Sequence, residues 1–440
     1  MRFHFFHRIR PRINGSLLYE RNGYRTIRSR TVAAILGLWI ILLSASCSEQ
    51  INWIEYRGEH GQGHTSNALY PPLGLRWKLK LQENAEKAKA FNPPLFIDEV
   101  LYFGSTDGNF YALDVTTGYM KWIFKEPRDS INSVPFADED TIYFGSNDYN
   151  VYAVDKETGE QKWSFNTGKT VQSLVLRYED HVIFTSDTGA TYFLNPEGQQ
   201  EFSLPNPVWS HHTFQVYDGV VYWAPKGRQF GAYDIEKREF LWLVPVDVPY
   251  ALWYSFPAVD EEAVYFASNF FKGMDSELNF YAMDRKTGRK LWQVSDQMDI
   301  GQKVPANRYT RFLDHVDLLD YMAPALYKDL VIFTAGDTKV RAFNKDDGDE
   351  VWETEFDYPT SSAPTIAGNR VYIGVQGSRV LTESGEFSEP ARLVCLSAVD
   401  GSILWKMDVD GAILSAPIIS GNQMMFGTDQ NYFYVLEEVL

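Results

Sequence analysis

The chain has 440 residues, 15% of them aromatic, with 12 Trp and 26 Tyr, and a formal net charge of −17. Its first 46 residues carry eight Arg and one Glu, which leaves 33 basic and 57 acidic residues for the rest. So acidic a body repels nucleic acid and anionic lipid, which argues against a nucleic-acid partner. The aromatic load suits pleated strands, and a single all-β unit can reach this length.

The first element is an address. Arg21, Arg25, Arg28 and Arg30 precede an apolar run from Val32 to Leu43, and small residues follow at Ser44-Ala45-Ser46-Cys47. A basic region, a short apolar stretch and small residues before a cut form an export signal. The run is too short for a comfortable span of about 20 residues. The ending resembles a bacterial lipoprotein signal, in which the Cys thiol is acylated and becomes residue one after cleavage. That resemblance implies a signal over 1–46, a lipid on Cys47 and contact with membrane through the lipid alone. Ser48, where an Asp would retain the protein at the inner membrane, implies an outer-membrane lipoprotein facing the periplasm. Ser44 departs from the usual Leu, and the long basic region fits a start codon downstream of Met1. Plain secretion and an uncleaved anchor are the alternatives. The second cysteine, Cys395, has no partner for a disulfide framework.

Residues 47–74 form a tether and lead-in. The lead-in, Ile51–Pro72, begins Asn52-Trp53-Ile54-Glu55-Tyr56-Arg57-Gly58. It is expected to lie across the fold with Trp53 buried, and to connect lipid to body.

From residue 75 to 440 the chain repeats. Tyr102–Asp114 aligns with Tyr143–Asp155, and each runs on to a Gly, at 118 and 159, and to a Trp, at 122 and 163. The phrase returns with Ala282, Asp284, Gly288 and Trp292, and again with Ala342, Asn344, Gly348 and Trp352. Weaker copies run through Tyr192–Phe202, Ala232–Trp242 and Cys395–Trp405. A Pro precedes the Trp by 28 residues in three copies, from Pro94, Pro135 and Pro324. Each unit reads as four strands. Pro cannot donate to a ladder, so it marks the innermost strand, an edge. Gly supplies the positive φ of a tight turn before the fourth strand, and the Asp or Asn ahead of it can accept from nearby amides. The Trp of the fourth strand is expected to wedge between neighbouring units. This blade-packing set is Trp77, Trp122, Trp163, Phe202, Trp242, Trp292, Trp352 and Trp405.

The phrase resembles the pyrroloquinoline-quinone-type (PQQ-type) repeat, the blade motif of quinoprotein dehydrogenases and of many non-catalytic relatives. It implies an all-β, eight-bladed propeller of four-stranded antiparallel blades. Seven units contain the Trp position. An eighth begins at Leu414-Ser-Ala-Pro417, and its Trp would fall at 445, beyond Leu440. Leu75–Leu81, with Trp77, is an orphan fourth strand. Letting this N-terminal strand complete the last blade joins the two ends and removes the open edge.

Long connections occur only where a fourth strand leads to the next first strand, or a second to a third. They are Ser295–Asp320, Asn269–Glu277 and Gln376–Pro390. These two kinds of connection open on one face of a propeller, so that face is expected to be the working face. It also gathers the candidate contact residues Trp209, His211, His212, Trp253, Tyr254, Phe270, Phe271, Arg308, Arg311 and His315, through which a partner or ligand would bind. Mutual packing of these aromatics is the alternative.

Chemistry is weakly represented. In quinoprotein dehydrogenases the quinone lies between a Trp and a disulfide of adjacent cysteines, beside Ca²⁺ and a catalytic Asp. This chain has no Cys-Cys pair, so no catalytic residue, cofactor or metal is assigned. His211 and His212 point to opposite faces of a strand. His60 and His64 sit among glycines. Asn344–Asp349 occupies the routine turn of the repeat. The whole resembles the BamB-like scaffold lipoproteins of outer-membrane β-barrel assembly. That implies a non-catalytic scaffold with an envelope protein partner. A glycan or small-molecule binder is the alternative, and a dehydrogenase-like enzyme the weaker one.

Overall fold

The computed structural model describes residues 51–58, 61–80, 93–205, 210–225, 229–246, 253–272, 275–298, 323–382 and 385–439. Residues 1–50, which hold the expected signal and Cys47, lie outside the described residues. Ser48–Leu440 forms one compact unit.

The unit is a ring of eight antiparallel sheets. Blade 1 runs from the channel outward through Leu95–Ile97, Val100–Gly104, Phe110–Asp114 and Met120–Phe124. Blades 2 to 7 repeat this meander. Blade 8 takes three strands from the end of the chain, Ile418–Ser420, Gln423–Gly427 and Tyr432–Glu438. Its outermost strand is Leu73–Lys80, paired antiparallel with Tyr432–Glu438. The expected closure is therefore present. Blade 5 gains a short strand, Trp253–Tyr254, and blade 7 gains a parallel one, His64–Thr65.

The repeat signals translate into geometry. The prolines stand one residue before the innermost strands rather than within them, as Pro324 does before Ala325–Tyr327. A residue without an N–H fits where the ladder has not begun. The turn carboxylates accept as expected: Asp155 Oδ1 takes the amide of Thr158 at 2.8 Å, and Asp284 Oδ1 takes that of Thr287 at 2.8 Å.

The fourth strand carries a feature the spacing did not reveal. In every blade its pairing with the third strand shifts register just before the Trp position, between partners of Ala112 and Leu113 in blade 1 and of Ala282 and Met283 in blade 5. One extra residue per blade is thus a bulge, which raises local twist.

The bulge leaves the Trp beside the next blade. Trp122 donates its indole N–H to Lys156 O at 3.0 Å, Trp163 to Pro196 O at 2.7 Å and Trp242 to Arg285 O at 3.0 Å. Trp292 reaches Lys345 O at 2.7 Å, Trp352 reaches Ala398 O at 3.2 Å, and Trp77 reaches from blade 8 to Val115 O of blade 1 at 2.8 Å. In five of these six the turn glycine of the receiving blade lies under the ring; the exception is Gly118 of blade 1, which faces Trp77 but where a Cβ would meet nothing within 4 Å. A Cβ on Gly288 would stand 2.6 Å from Trp242, and one on Gly348 would stand 2.8 Å from Trp292. Trp and Gly recur together because each needs the other. Blade 3 has Phe202, which has no N–H to give, and the receiving turn has Arg238 at φ 57° in place of Gly. The Arg238 guanidinium lies 4.3 Å above the Phe202 ring. Trp405 meets blade 8, which has no turn there, and packs instead with a core that includes Ile419, Phe426 and Tyr434.

Candidate functional site

One face of the ring carries the turns between first and second and between third and fourth strands. This turn face is regular and acidic. The other, the insertion face, carries the remaining connections. Asn269–Glu277, expected as an inserted loop, is mostly strand: Ala263–Lys272 pairs with Asp275–Asp284 over their full length, including Phe270 with Glu277 and Phe271 with Ser276. Aromatic and β-branched residues continue a ladder more readily than they form a loop, so the hairpin of blade 5 simply projects further. Within Gln376–Pro390, Ser378–Thr382 and Gly385–Glu389 form a separate two-stranded hairpin. Of Ser295–Asp320, the described part ends the last strand of blade 5, Lys290–Gln297, and Met298 beyond it.

The candidate contact residues fall into two groups. Trp209, Arg308, Arg311 and His315 lie outside the described residues. The other six are brought together by their backbones between blades 4 and 5. His211 and His212 lie in the first strand of blade 4, Ser210–Tyr217. Trp253 and Tyr254 pair with Asn269 and Ser268, next to Phe270 and Phe271. The first strand of blade 4 runs beside Trp253–Tyr254. Three short aromatic and His stretches, far apart in sequence, thus share one rim.

A buried ion network stands nearby and was not foreseen. Arg341 is 1% exposed and Asp337 is fully buried. The guanidinium donates to both Asp337 oxygens, at 3.2 and 2.7 Å, and to Asp296 Oδ2 at 2.9 Å. Burial raises the Asp337 carboxyl above the ordinary carboxylate value, against the pull of Arg341. Burial pushes Asp296 the same way, but Arg341 and Lys339 overcome it and hold Asp296 below that value. Asp296 is the next-to-last residue of the outer strand of blade 5, so the network ties the approach to the longest connection to blade 6. A signal existed. Across this turn in blades 1 and 2, an Asp is followed four residues later by a Tyr whose OH donates to it, Tyr111 to Asp107 at 2.6 Å and Tyr152 to Asp148 at 2.7 Å. Arg341 takes the Tyr position relative to Asp337, and only its longer reach finds blade 5.

The lead-in is not a free tether. It enters the central channel from the turn face and touches blades all round the ring. Trp53 bridges Phe96 of blade 1 and donates to Ile419 O of blade 8 at 2.8 Å. Ala137 N of blade 2 donates to Ile54 O at 2.9 Å. Tyr56 packs edge-on against Phe256 of blade 5 at 5.2 Å, within a cluster that includes Val134, Leu174, Phe214, Ala363 and Ala416. Arg57, 2% exposed, donates to the carbonyl of Pro324 in blade 6. Ile366 N of blade 7 donates to Gly63 O at 2.8 Å. Trp53 is buried, as expected, and the channel is closed at the turn face.

Among the described residues no group of three His, Cys, Asp or Glu is arranged to hold a metal, and no helix is long and apolar enough to cross a membrane. Cys395 pairs opposite Trp405 in the small-residue position of the repeat, fully buried, with its thiol pushed up to about 12 by burial.

The family model described as outer membrane protein assembly factor BamB matches residues 74–170, 147–295, 279–382 and 373–439. The quinoprotein alcohol dehydrogenase PedH of Pseudomonas putida is 29% identical over 130 residues, 28% of this chain and 19% of that one. The outer membrane protein assembly factor BamB of Yersinia pestis is 27% identical over 135 residues, 28% of this chain and 30% of that one. The matched stretches thus span less than a third of either relative. The crystal structure of BamB from Moraxella catarrhalis superposes with a TM-score of 0.61 and 16% identity, over 83% of this chain and 99% of that one. At that identity the likeness establishes the fold.

Proposed function

We propose, because the chain belongs to the outer membrane protein assembly factor BamB family, that it is a lipid-anchored envelope propeller acting as a non-catalytic protein-binding scaffold. Its process would be outer-membrane β-barrel assembly. The observation that carries this reading is the rim between blades 4 and 5, where Ser210–Tyr217, Trp253–Tyr254 and the prolonged hairpin of blade 5 meet on the insertion face. A rigid ring that carries a prolonged hairpin beside a short aromatic strand on one face is suited to holding a partner. The anchor is the lipid on Cys47, which places the protein at the periplasmic side of the outer membrane.

The enzymatic reading has weaker support. A quinone held against a disulfide of adjacent cysteines needs two such residues, and the sequence has only Cys47 and the buried Cys395. The residues do not fit that group.

The test is a crosslinking pull-down of tagged protein from intact membranes, comparing wild type with a deletion within 299–320. Recovery of β-barrel assembly components by wild type and their loss on deletion is expected. If neither form enriches any protein, the scaffold reading fails, and a glycan or small molecule at the same rim takes its place.

A further inference from the structure

Resting on the lipid anchor proposed above, we propose that the turn face is the surface that lies against the membrane, that it meets a zwitterionic headgroup layer, and that the insertion face points away. The argument is one of reach. The amide of Ile51 donates to Ser420 Oγ at 3.0 Å, and Asn52 Nδ2 donates to Asp98 Oδ1 at 3.2 Å. Ser420 is the last residue of the innermost strand of blade 8, and Asp98 lies in the first turn of blade 1. Both stand at the mouth of the channel on the turn face. The lead-in is therefore fixed to the ring from Ile51 onward, and only residues 48–50 separate it from Cys47.

Four Cα steps carry the chain at most about 14 Å. To pass outside a blade to the insertion face, it would have to cross three interstrand spacings, about 14 Å, and then climb a five-residue strand of about 17 Å. The path is roughly twice the reach. The route through the channel is closed by Trp53, Tyr56 and Arg57, all buried. Because the chain leaves from the channel mouth and not from the rim, tilting the ring does not exchange its faces.

Charge then selects the headgroup. The turn face presents Asp98, Glu99, Asp138, Glu139, Glu157 and Asp347. Cations stand among them, including Lys156, Arg177, Arg285, Lys286 and Lys345, but carboxylates outnumber them in these turns, and Arg177 is paired to Asp138. Such a face is repelled by anionic lipid within about one Debye length, near 8 Å at physiological salt. The tether, at most about 14 Å, keeps it within about two such lengths, where repulsion is weakened but still felt, so a zwitterionic layer is the compatible surface.

The test uses the acylated protein in vesicles containing nitroxide-headgroup lipid. A fluorophore is carried on an azide-bearing residue at exposed Lys286, on the turn face, or at exposed Lys169, on the insertion face. Quenching several-fold stronger at 286 than at 169 is expected. Phosphatidylethanolamine vesicles should quench 286 more than vesicles enriched in phosphatidylglycerol. Inserting about 20 Gly and Ser residues after Ser48 gives a tether long enough to go round a blade, and should abolish the difference between the two sites. Equal quenching with the native tether, or stronger quenching at 169, overturns the orientation. Stronger quenching of 286 in anionic vesicles overturns the headgroup assignment. Mass spectrometry of the N-terminal peptide reads the anchor separately. If Cys47 carries no lipid, the anchor reading falls. The geometry is then decided by coupling the Cys47 thiol of the chain beginning at Cys47, which retains the whole compact unit, to maleimide-headgroup vesicles with the same two labels.

Discussion

Replacing a turn glycine with alanine should separate two costs that the repeat superimposes. Gly118 and Gly288 have nearly the same backbone, φ 74° and 69°. A Cβ on Gly118 would meet nothing within 4 Å, whereas one on Gly288 would stand 2.6 Å from Cδ2 and Cε3 of Trp242. The left-handed conformation alone costs an alanine about 1–2 kcal/mol, offset by about 0.4–1 kcal/mol from the stiffer unfolded chain. Gly118→Ala should therefore cost about 1 kcal/mol. At Gly288 the methyl must push the indole back by about 1 Å to restore carbon contact distance, which adds about 1–3 kcal/mol of overpacking. The indole cannot yield freely, since its N–H is held by Arg285 O at 3.0 Å. Urea unfolding followed by far-ultraviolet circular dichroism measures both variants, and unchanged slopes license the comparison of midpoints. A double-mutant cycle completes it: in a Trp242→Ala background, Gly288→Ala should fall back to the cost seen at Gly118. If the two single variants agree within about 0.5 kcal/mol, or if the extra cost persists without the indole, the latch is not what couples Trp to Gly.

Blade 3 predicts the converse. Phe202→Trp alone should destabilise, because Arg238 occupies the place the indole needs, while Phe202→Trp with Arg238→Gly should recreate the latch and gain about 1 kcal/mol from the new hydrogen bond and the relief of φ strain; additivity of the two single changes in thermal unfolding would refute it. The turn carboxylates predict a pH dependence. Backbone and hydroxyl donors from Thr158 and Thr287, outweighing a small burial effect, hold Asp155 and Asp284 below the ordinary value of 3.8. Groups lowered in the folded state stabilise it above the unfolded value and lose that contribution as pH falls through the folded one. Stability should therefore drop as pH falls below about 4, and Asp155→Asn with Asp284→Asn should shallow that drop in unfolding midpoints measured from pH 7 to 2. A slope unchanged by the pair would assign acid sensitivity elsewhere.

The ring was legible because it is periodic. The recurrence of Asp, Gly and Trp fixes the third strand, the turn and the fourth strand of each blade, and the missing Trp of the last copy points to Trp77. What escaped the sequence was whatever depends on distance in space. Phe270 and Phe271 read as loop because an insertion is counted in length, yet their composition favoured a ladder and they extend one. The lead-in read as lying across the fold with Trp53 buried, but nothing in Glu55-Tyr56-Arg57 says that a channel is waiting for it. Arg341 looked like an ordinary strand residue, since Asp296 lies 45 positions away on another blade. The rim between blades 4 and 5 is half legible: its aromatics stand out, but their meeting depends on Trp253–Tyr254 pairing with Ser268–Asn269.

Closing the ring with Leu73–Lys80 also sets the order in which the protein can form. The partner of Trp77 in that sheet is Val435, more than 350 residues away, whereas within a blade the strands pair almost as soon as they exist. Blades can therefore assemble one after another as the chain lengthens from its N-terminus. The strand Leu73–Lys80 must wait, unpaired and apolar along one edge, until the last residues arrive. That late pairing, with the lead-in's contacts to the last blades, carries the loop-closure entropy of the ring. It is the step at which synthesis, passage to its destination and folding have to be kept in register, and an unclosed ring presents two open strand edges to any neighbour that reaches it first.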